Sequence, residues 1–185
     1  MSNNKTNTNK GNKASAGDLY LLSEIHKMAD SMKGNYPIII SPYEYVLQNG
    51  RPYPQREMPD KYRKLKPTRS GCFNSAFRLA KKNPELRYVE GYALAPLGIV
   101  VLHAWCVDSD GRVIDRTWGN DGWYYGVTFD LKFVQRVRER THHISVIDNW
   151  KEHFPLLRSI NPERYMREGA EQLPLDLGDD EPRCA

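Results

Sequence analysis

Cysteine is scarce in this chain of 185 residues. The three cysteines, Cys72, Cys106 and Cys184, are odd in number and far apart, which argues against both a disulfide framework and a structural zinc site. His142 and His143 are adjacent, and no cysteine or carboxylate stands at ligand spacing from them. We therefore expect free thiols, no metal ion and no other cofactor.

Long hydrophobic runs are also missing. No apolar run approaches the roughly 18 residues that a membrane span needs, and the first 17 residues contain no apolar stretch that could serve as a signal peptide. Hydrophobic residues make up 39% of the chain and aromatic residues 11%, which is typical of a globular domain. These features predict a cytoplasmic protein with no membrane partner.

The two ends differ in composition from the middle. Residues 1–17 are mostly Asn, Lys, Thr, Ser and Gly, with three lysines and no acidic residue, whereas residues 168–185 carry six acidic residues and one basic residue, Arg183. Such segments bury too little apolar surface to fold on their own. We predict a disordered basic tail over 1–17, one catalytic domain over 18–167 and a disordered acidic tail over 168–185.

Basic charge is unevenly spread within the predicted domain. Residues 18–167 contain 23 basic and 17 acidic residues, and residues 61–87 hold nine Lys or Arg against a single acid, Glu85. Such a cluster fits a nucleic-acid surface or a solvated face of the domain. No zinc finger or other DNA-binding motif accompanies it, so nucleic acid is not specifically indicated as a partner.

Helical patterns occupy the first half of the domain. Asp18 is placed to cap a first helix that ends near Gly34, and "SPYEYVLQNG" predicts a second helix from Ser41. Prolines and charges over 50–67 predict a long loop. The segment "SGCFNSAFRLAKKNP" then predicts a third helix, with Ser70 as its cap.

Strand patterns dominate the second half. The runs "LRYVEGYAL", "GIVVLHAWCVD", "RVIDRTW" and "YYGVTF" each have strand-like composition, and "HISVID" predicts one more strand. A helix is predicted from about Asp130 to Arg140. Helices followed by strands with short connections indicate an α+β domain in which helices pack on an antiparallel sheet.

Cys72 lies in the first turn of the third predicted helix. Backbone N–H groups and the positive end of the helix dipole stabilise a thiolate there, and the surrounding lysines and arginines act in the same direction. These features favour a nucleophile, with a small buried structural thiol as the alternative. Cys106 lies in the middle of a strand and is expected to fill the core.

His103 is the histidine with a carboxylate at hairpin distance. If a three-residue loop joins Asp108 to Arg112, Asp115 lies opposite Trp105, on the sheet face that also carries His103. A two-residue turn at 110–111 would instead place the two side chains on opposite faces. The pairing of His103 with Asp115 therefore depends on the register of the hairpin.

The order of these motifs resembles a known family. Gly71-Cys72, "RYVEGY", "HAW" and "VIDRT" follow one another from about Ser70 to Trp118 as they do in the core of the transglutaminase-like cysteine enzymes, part of the broader papain-like group. The resemblance implies a transglutaminase-like fold and a catalytic triad of Cys72, His103 and Asp115. It departs from the family where Arg116 replaces the usual Pro and where the Cys-to-His interval is short.

The resemblance implies a thiol-dependent hydrolase, such as a protease, amidase or deamidase, that acts on a protein, peptide or small amide through a thioester intermediate. Acyl transfer to an amine is the first alternative. The second is a non-catalytic binding or inhibitory protein on the same fold. The intact Cys, His and Asp argue against this last function.

Other residues could complete the site. Side-chain donors for an oxyanion remain open among four residues: Gln48, Tyr53, Gln55 and Tyr62. Four aromatic residues could wall an acyl groove or pack in the core: Trp118, Trp123, Tyr124 and Tyr125. Glu90, in "RYVEGY", is expected to point to solvent, with substrate contact as the alternative.

The acidic tail contains a further motif. "QLPLDL" resembles the hexapeptide by which many bacterial and phage proteins bind the replicative sliding clamp, and the resemblance implies contacts from Gln172, Leu173, Leu175 and Leu177. A short apolar segment that folds back on the domain is the alternative.

The clamp interpretation predicts that a fluorescent peptide spanning Glu168 to Ala185 binds a purified bacterial clamp at micromolar concentration. Binding should be lost when Gln172→Ala and Leu175→Ala are combined, because the glutamine and the leucine supply the register and the apolar anchor. Fluorescence anisotropy measures both peptides. Equally negligible binding by the two would refute the interpretation.

Overall fold

The computed structural model describes residues 14–33, 40–54, 56–65, 71–118, 121–152 and 154–158. Within these ranges the chain forms an α+β fold. Its helices are α1 (Ala16–Met32), α2 (Pro42–Asn49), α3 (Asp60–Arg63), α4 (Gly71–Lys82), α5 (Leu131–Thr141) and α6 (Pro155–Arg158), with a 3-10 turn at Trp150–Glu152. Its strands are β1 (Arg51–Tyr53), β2 (Arg87–Leu94), β3 (Val100–Val107), β4 (Val113–Ile114) and β5 (Trp123–Phe129).

The five strands form one curled antiparallel sheet in the order β1-β5-β2-β3-β4. One face packs against the helices in a large apolar cluster that includes Ile25, Val46 and Ala76. The other face holds a smaller cluster built around Trp105 and Tyr124. The prediction of helices packed on an antiparallel sheet is confirmed at this level.

The first helix begins earlier than predicted. Ser15, and not Asp18, is the cap: the Asp18 N–H donates to Ser15 Oγ at 3.2 Å, and the Asp18 carboxylate accepts from the Ser15 N–H at 2.9 Å. This reciprocal pair is a capping box, in which the acidic residue occupies the third helical position. The helix therefore begins at Ala16, inside the segment predicted as a disordered tail.

The second helix is confirmed, with Ser41 accepting from the Glu44 N–H at 3.1 Å and Gly50 at the end. The long loop predicted over 50–67 is wrong, because β1 and α3 both fall within it. Sequence patterning misses β1 because it is a three-residue edge strand that contains Pro52. Proline is compatible with such an edge, where its missing N–H is not needed for pairing.

Glu90 does not point to solvent, contrary to expectation, and is completely buried. Its carboxylate accepts from Tyr88 Oη at 2.7 Å and from Ser145 Oγ at 2.8 Å. The N–H groups of Val146 and Ile147 donate to it as well, at 2.9 and 3.1 Å. Burial raises the pKa of Glu90, although these hydrogen bonds favour the ionised form.

The strand predicted over "HISVID" is also wrong. Residues 144–148 form an irregular segment whose backbone donors bind the Glu90 carboxylate instead of a neighbouring strand. The preceding helix α5 agrees with its prediction, with Asp130 as the cap that accepts from the Phe133 N–H at 3.0 Å.

Several predicted features fall outside the described residues: Gly34, Gln55, Ser70, Cys184, the tail segments over 1–13 and 168–185, and the "QLPLDL" motif. None of the helices in the described ranges combines the length and apolar character that crossing a bilayer requires.

Candidate active site

Cys72 is the second residue of α4 and is partly exposed. Gly71 precedes it with φ of 71°, in the left-handed region that glycine adopts without strain. The helix packs on β3, where the Cys106 thiol donates to the Ala76 carbonyl at 3.2 Å. Cys106 is fully buried, as expected for a core residue, and burial raises its pKa far above the ordinary range.

His103 lies on β3 and is only 2% exposed. It pairs across the sheet with Gly91, which in turn pairs with Gly126 on β5. A side chain at Gly91 would collide with the backbone of Tyr125 and Gly126. The two glycines therefore let the strands approach closely beside the imidazole.

Of the two turns that the sequence leaves open, the hairpin contains the three-residue loop. The Asp108 N–H donates to the Arg112 carbonyl at 3.1 Å, and Val107 pairs with Val113. Continuing this register by two residues places Asp115 opposite Trp105, on the face that carries His103. Asp115 is 1% exposed, and its Oδ2 lies 2.8 Å from His103 Nε2.

Asp108, the other buried carboxylate of this hairpin, has a different role. Its Oδ1 accepts from the Arg112 N–H at 2.9 Å and from the Asp110 N–H at 3.0 Å, and its Oδ2 accepts from Arg112 Nε at 2.6 Å. These bonds stabilise the turn, so Asp115 and not Asp108 contacts the imidazole.

The Asp115 carboxylate is further bound by two donors from the protein. The Thr117 N–H donates to Oδ1 at 2.7 Å, and Tyr124 Oη donates to Oδ2 at 3.0 Å. Burial disfavours the ionised carboxylate, but the hydrogen bond and charge of His103, with those two donors, hold the pKa of Asp115 below its ordinary value. Asp115 is therefore charged at neutral pH.

The imidazole of His103 has two polar neighbours. Burial disfavours its protonation, but Asp115 and the Cys72 thiol outweigh this effect as hydrogen-bond and charge partners and raise the pKa of His103 to about 9. Because Nε2 faces Asp115, Nδ1 is the nitrogen left for Cys72. β4 pairs with β3 only at Cys106 and Val107, which leaves the edge of β3 beside His103 open to the first turn of α4.

Aromatic side chains enclose the imidazole. Trp118 stacks on His103 with a ring-centroid distance of 3.9 Å and an interplanar angle of 7°. Tyr124 lies behind the pair and binds Asp115. Trp123 and Tyr125, on the opposite face of β5, bind instead to Ser15 and to the Gly50 carbonyl. Two of the four predicted wall residues therefore belong to this site.

The predicted side-chain donors for an oxyanion are engaged elsewhere where they are described. Gln48 donates to Glu44 at 3.2 Å, and Tyr62 donates to Glu85 at 2.8 Å. Tyr53 is 2.8 Å from Thr128 Oγ1, beneath Trp105. The backbone N–H of Cys72 is a further possible donor among the described residues, because the first turn of a helix has no intrahelical partner for its N–H groups.

Sequence reasoning missed the hydrogen bond from Tyr124 to Asp115. Nothing in the local pattern indicates it, because Tyr124 reaches the site through the pairing of β5 with β2. The described residues contain no group of three His, Cys, Asp or Glu side chains placed to hold a metal ion. Comparison of the chain with protein-family models, curated proteins and solved structures found no match.

Asp115→Asn should lower the pKa of His103 from about 9 to its ordinary value of about 6.5 or below. The substitution removes the negative charge at nearly constant volume, so burial then dominates and disfavours the imidazolium. NMR titration of the His103 Hε1 resonance measures the change. Asp108→Asn, which removes the other buried carboxylate of the hairpin, should leave the pKa of His103 raised.

The same pair makes stability depend on pH. The pKa of His103 is higher in the folded state than in the unfolded state. Its stabilising contribution to the free energy of unfolding is therefore complete below about pH 6.5 and is lost as the pH rises through about 9. The difference in unfolding free energy between wild type and Asp115→Asn should therefore shrink over this range in urea titrations. An unchanged His103 titration in Asp115→Asn would contradict the assigned pairing.

Proposed function

We propose that this protein is a thiol-dependent hydrolase of amide or related acyl bonds, with Cys72 as nucleophile, His103 as general base and acid, and Asp115 as the residue that orients His103. The observation that carries the proposal is the buried His103–Asp115 pair, 2.8 Å apart, beside a partly exposed thiol at a helix N-terminus. This arrangement supports a transglutaminase-like core.

The protonation state of His103 suits a proton donor in the first step. With a pKa of about 9, His103 carries a proton at neutral pH and lies beside Cys72, which attacks as a thiolate. The thiolate attacks the substrate carbonyl carbon, and the Cys72 N–H stabilises the oxyanion that forms. As the C–N bond breaks, His103 gives its proton to the leaving amine, which leaves a thioester on Cys72.

Hydrolysis of the thioester uses the same groups in reverse. Neutral His103 takes a proton from water, the hydroxide attacks the thioester carbonyl, and the C–S bond breaks to release the acid and restore Cys72. Asp115 keeps the imidazole in the required tautomer through its bond to Nε2, while the stacked Trp118 restrains the ring. Each step therefore has an assigned donor and acceptor.

The proposal predicts that Cys72 is the fastest-reacting thiol of the folded protein. Iodoacetamide at mildly acidic pH should alkylate Cys72 first, and His103→Ala should slow that alkylation roughly tenfold near neutral pH because the neighbouring imidazolium is lost. Peptide mapping by mass spectrometry locates the label. His26→Ala, which removes an exposed histidine of α1, is the matched control and should have no effect.

Preferential labelling of Cys106 would contradict the assignment. That thiol is buried and bonded to Ala76, so it should react only when the protein unfolds.

The acyl-enzyme can be tested with p-nitrophenyl acetate, which requires no knowledge of the natural substrate. We expect a burst of nitrophenolate, an acetyl group on Cys72 by intact mass, and its loss to water with recovery of free thiol; Cys72→Ala should show no burst. Acceleration of deacylation by added amine would favour the acyl transferase instead. Absence of any acetyl-Cys72 would favour a non-catalytic binding protein.

A further inference from the structure

A cavity of about 220 Å³ lies on the helix side of the sheet, the face opposite to that of the His103 and Asp115 side chains. Its floor includes Tyr92 and Leu102, which pair with each other across β2 and β3. Leu102 directly precedes His103 on β3, so their Cα atoms are about 3.8 Å apart while their side chains point to opposite faces of the sheet. Drug-sized ligand pockets measure roughly 300–1,000 Å³, so this cavity fits a single side chain better than a large ligand.

The first turn of the helix that carries Cys72 lies at the same end of β3 as Leu102. Leu102 and Cys106 share one face of β3 by strand alternation, and α4 packs on that face through Ala76. Cys72 lies one helical turn before Ala76 and contacts His103. The helix therefore runs from the neighbourhood of His103 toward Cys106, with its N-terminus at the cavity end.

The cavity lining is apolar and aromatic with a single charge. Tyr43 stacks on Tyr92 at a centroid distance of 4.3 Å and an interplanar angle of 9°. Among the described residues that line the cavity, Asp148 alone is ionisable to a full charge near neutral pH. Its carboxylate accepts no hydrogen bond and forms no ion pair within the described part of the chain.

Asp148 is held in place by the buried Glu90. The Asp148 N–H donates to Ser145 Oγ at 3.0 Å, and that hydroxyl donates to the Glu90 carboxylate. Val146 and Ile147, the two residues before Asp148, bind the same carboxylate through their N–H groups. Glu90 is thus a positioning residue for Asp148, the acidic group among the described residues that line the cavity.

Partial burial raises the pKa of the Asp148 carboxyl, and the imidazole of His143 opposes this effect by its charge. A half-buried carboxylate that accepts no hydrogen bond and forms no ion pair is costly, and a cationic ligand lowers that cost. Stacked tyrosines add attraction for a cation, and an apolar wall suits an alkyl chain.

We propose that this cavity is the specificity pocket of the Cys72 site and binds a basic side chain of the substrate, lysine-like or arginine-like, with its cation at Asp148. The proposal rests on the proposed function, since it assigns the substrate class of the same site. The alkyl part of the side chain lies along Tyr92 and Leu102.

The test compares two alkylating reagents that differ only by an ammonium group, the chloromethyl ketones of N-acetyl-lysine and N-acetyl-norleucine. We expect the lysine reagent to label Cys72 about tenfold faster than the norleucine reagent, and the ratio to fall to near one in Asp148→Asn. Asp148→Ser provides a second variant without the charge. Asp110→Asn, which removes an exposed carboxylate outside the cavity, is the matched control and should keep the ratio.

Iodoacetamide distinguishes failure of the pocket assignment from failure of the proposed function, because it reacts with Cys72 but has no side chain that could occupy the cavity. If Cys72 reacts rapidly with iodoacetamide but shows equal rates with the two ketones, the pocket assignment is wrong and the proposed function stands. If Cys72 is not the reactive thiol, the proposed function fails. Binding of a cation to the cavity must then be measured without covalent labelling.

This binding experiment uses Cys72→Ala protein and n-pentylamine. The amine, but not n-pentanol, should shift the ring NMR signals of Tyr43 and Tyr92, and Asp148→Asn should abolish the shift. Equal shifts with both compounds would refute a cation site. A separate outcome concerns the wild-type protein. If n-pentylamine accelerates deacylation of acetyl-Cys72 in a saturable way and the two ketones react at equal rates, the cavity binds an acyl acceptor and the pocket assignment is wrong.

Discussion

An imidazole and a carboxylate that are both almost completely buried can stay charged only because each is the other's partner. Transfer of either ion alone from water to the protein interior costs several kcal/mol. His103 and Asp115 meet at 2.8 Å, and the Thr117 N–H and Tyr124 hydroxyl complete the carboxylate's hydrogen bonds. The hairpin, the glycine pair at Gly91 and Gly126, and the stacked Trp118 all serve to keep this contact closed to water.

The sheet contains a second buried carboxylate with the opposite behaviour. Glu90 is surrounded by neutral donors only, from Tyr88 and from residues 145–147, and burial raises its pKa. Asp115 faces an imidazole, and its pKa is lowered. Glu90 therefore organises residues 145–147 through hydrogen bonds, whereas Asp115 carries a negative charge beside His103. The presence of a cationic neighbour decides between the two roles, since burial is nearly equal.

Local features of the chain were predictable where the determinants lie within a few residues. The caps at Ser41 and Asp130 are short-range hydrogen bonds, so the sequence pattern indicates α2 and α5. The turn after Asp108 is also local, and the sequence narrows its register to two possibilities, of which the structure contains the three-residue loop. That register, in turn, placed Asp115 beside His103. A slip of one residue would have moved Asp115 to the other face of the sheet.

The predictions from sequence are wrong where contacts between segments far apart in the chain decide the local structure. Glu90 is buried because β2 is a central strand whose helix-side face contacts residues 145–147. The hydrogen bonds from these residues to the Glu90 carboxylate also keep "HISVID" from pairing as a strand. β1 forms because Tyr53 pairs with Tyr124, far along the chain. Neither the strand order nor this long-range pairing is encoded in a local pattern. The side chains that surround His103 could therefore be guessed only in part.

The His103–Asp115 contact and the contact that fastens β1 to the sheet differ in how far apart their partners are in sequence. Asp115 follows His103 by 12 residues, whereas the Tyr53–Thr128 bond that fastens β1 to the sheet spans 75. Loop-closure entropy makes the longer contact costlier by about 1.6 kcal/mol. Segments joined by short loops also form sooner during folding. We therefore expect the paired imidazole and carboxylate to come together before β1 joins the sheet.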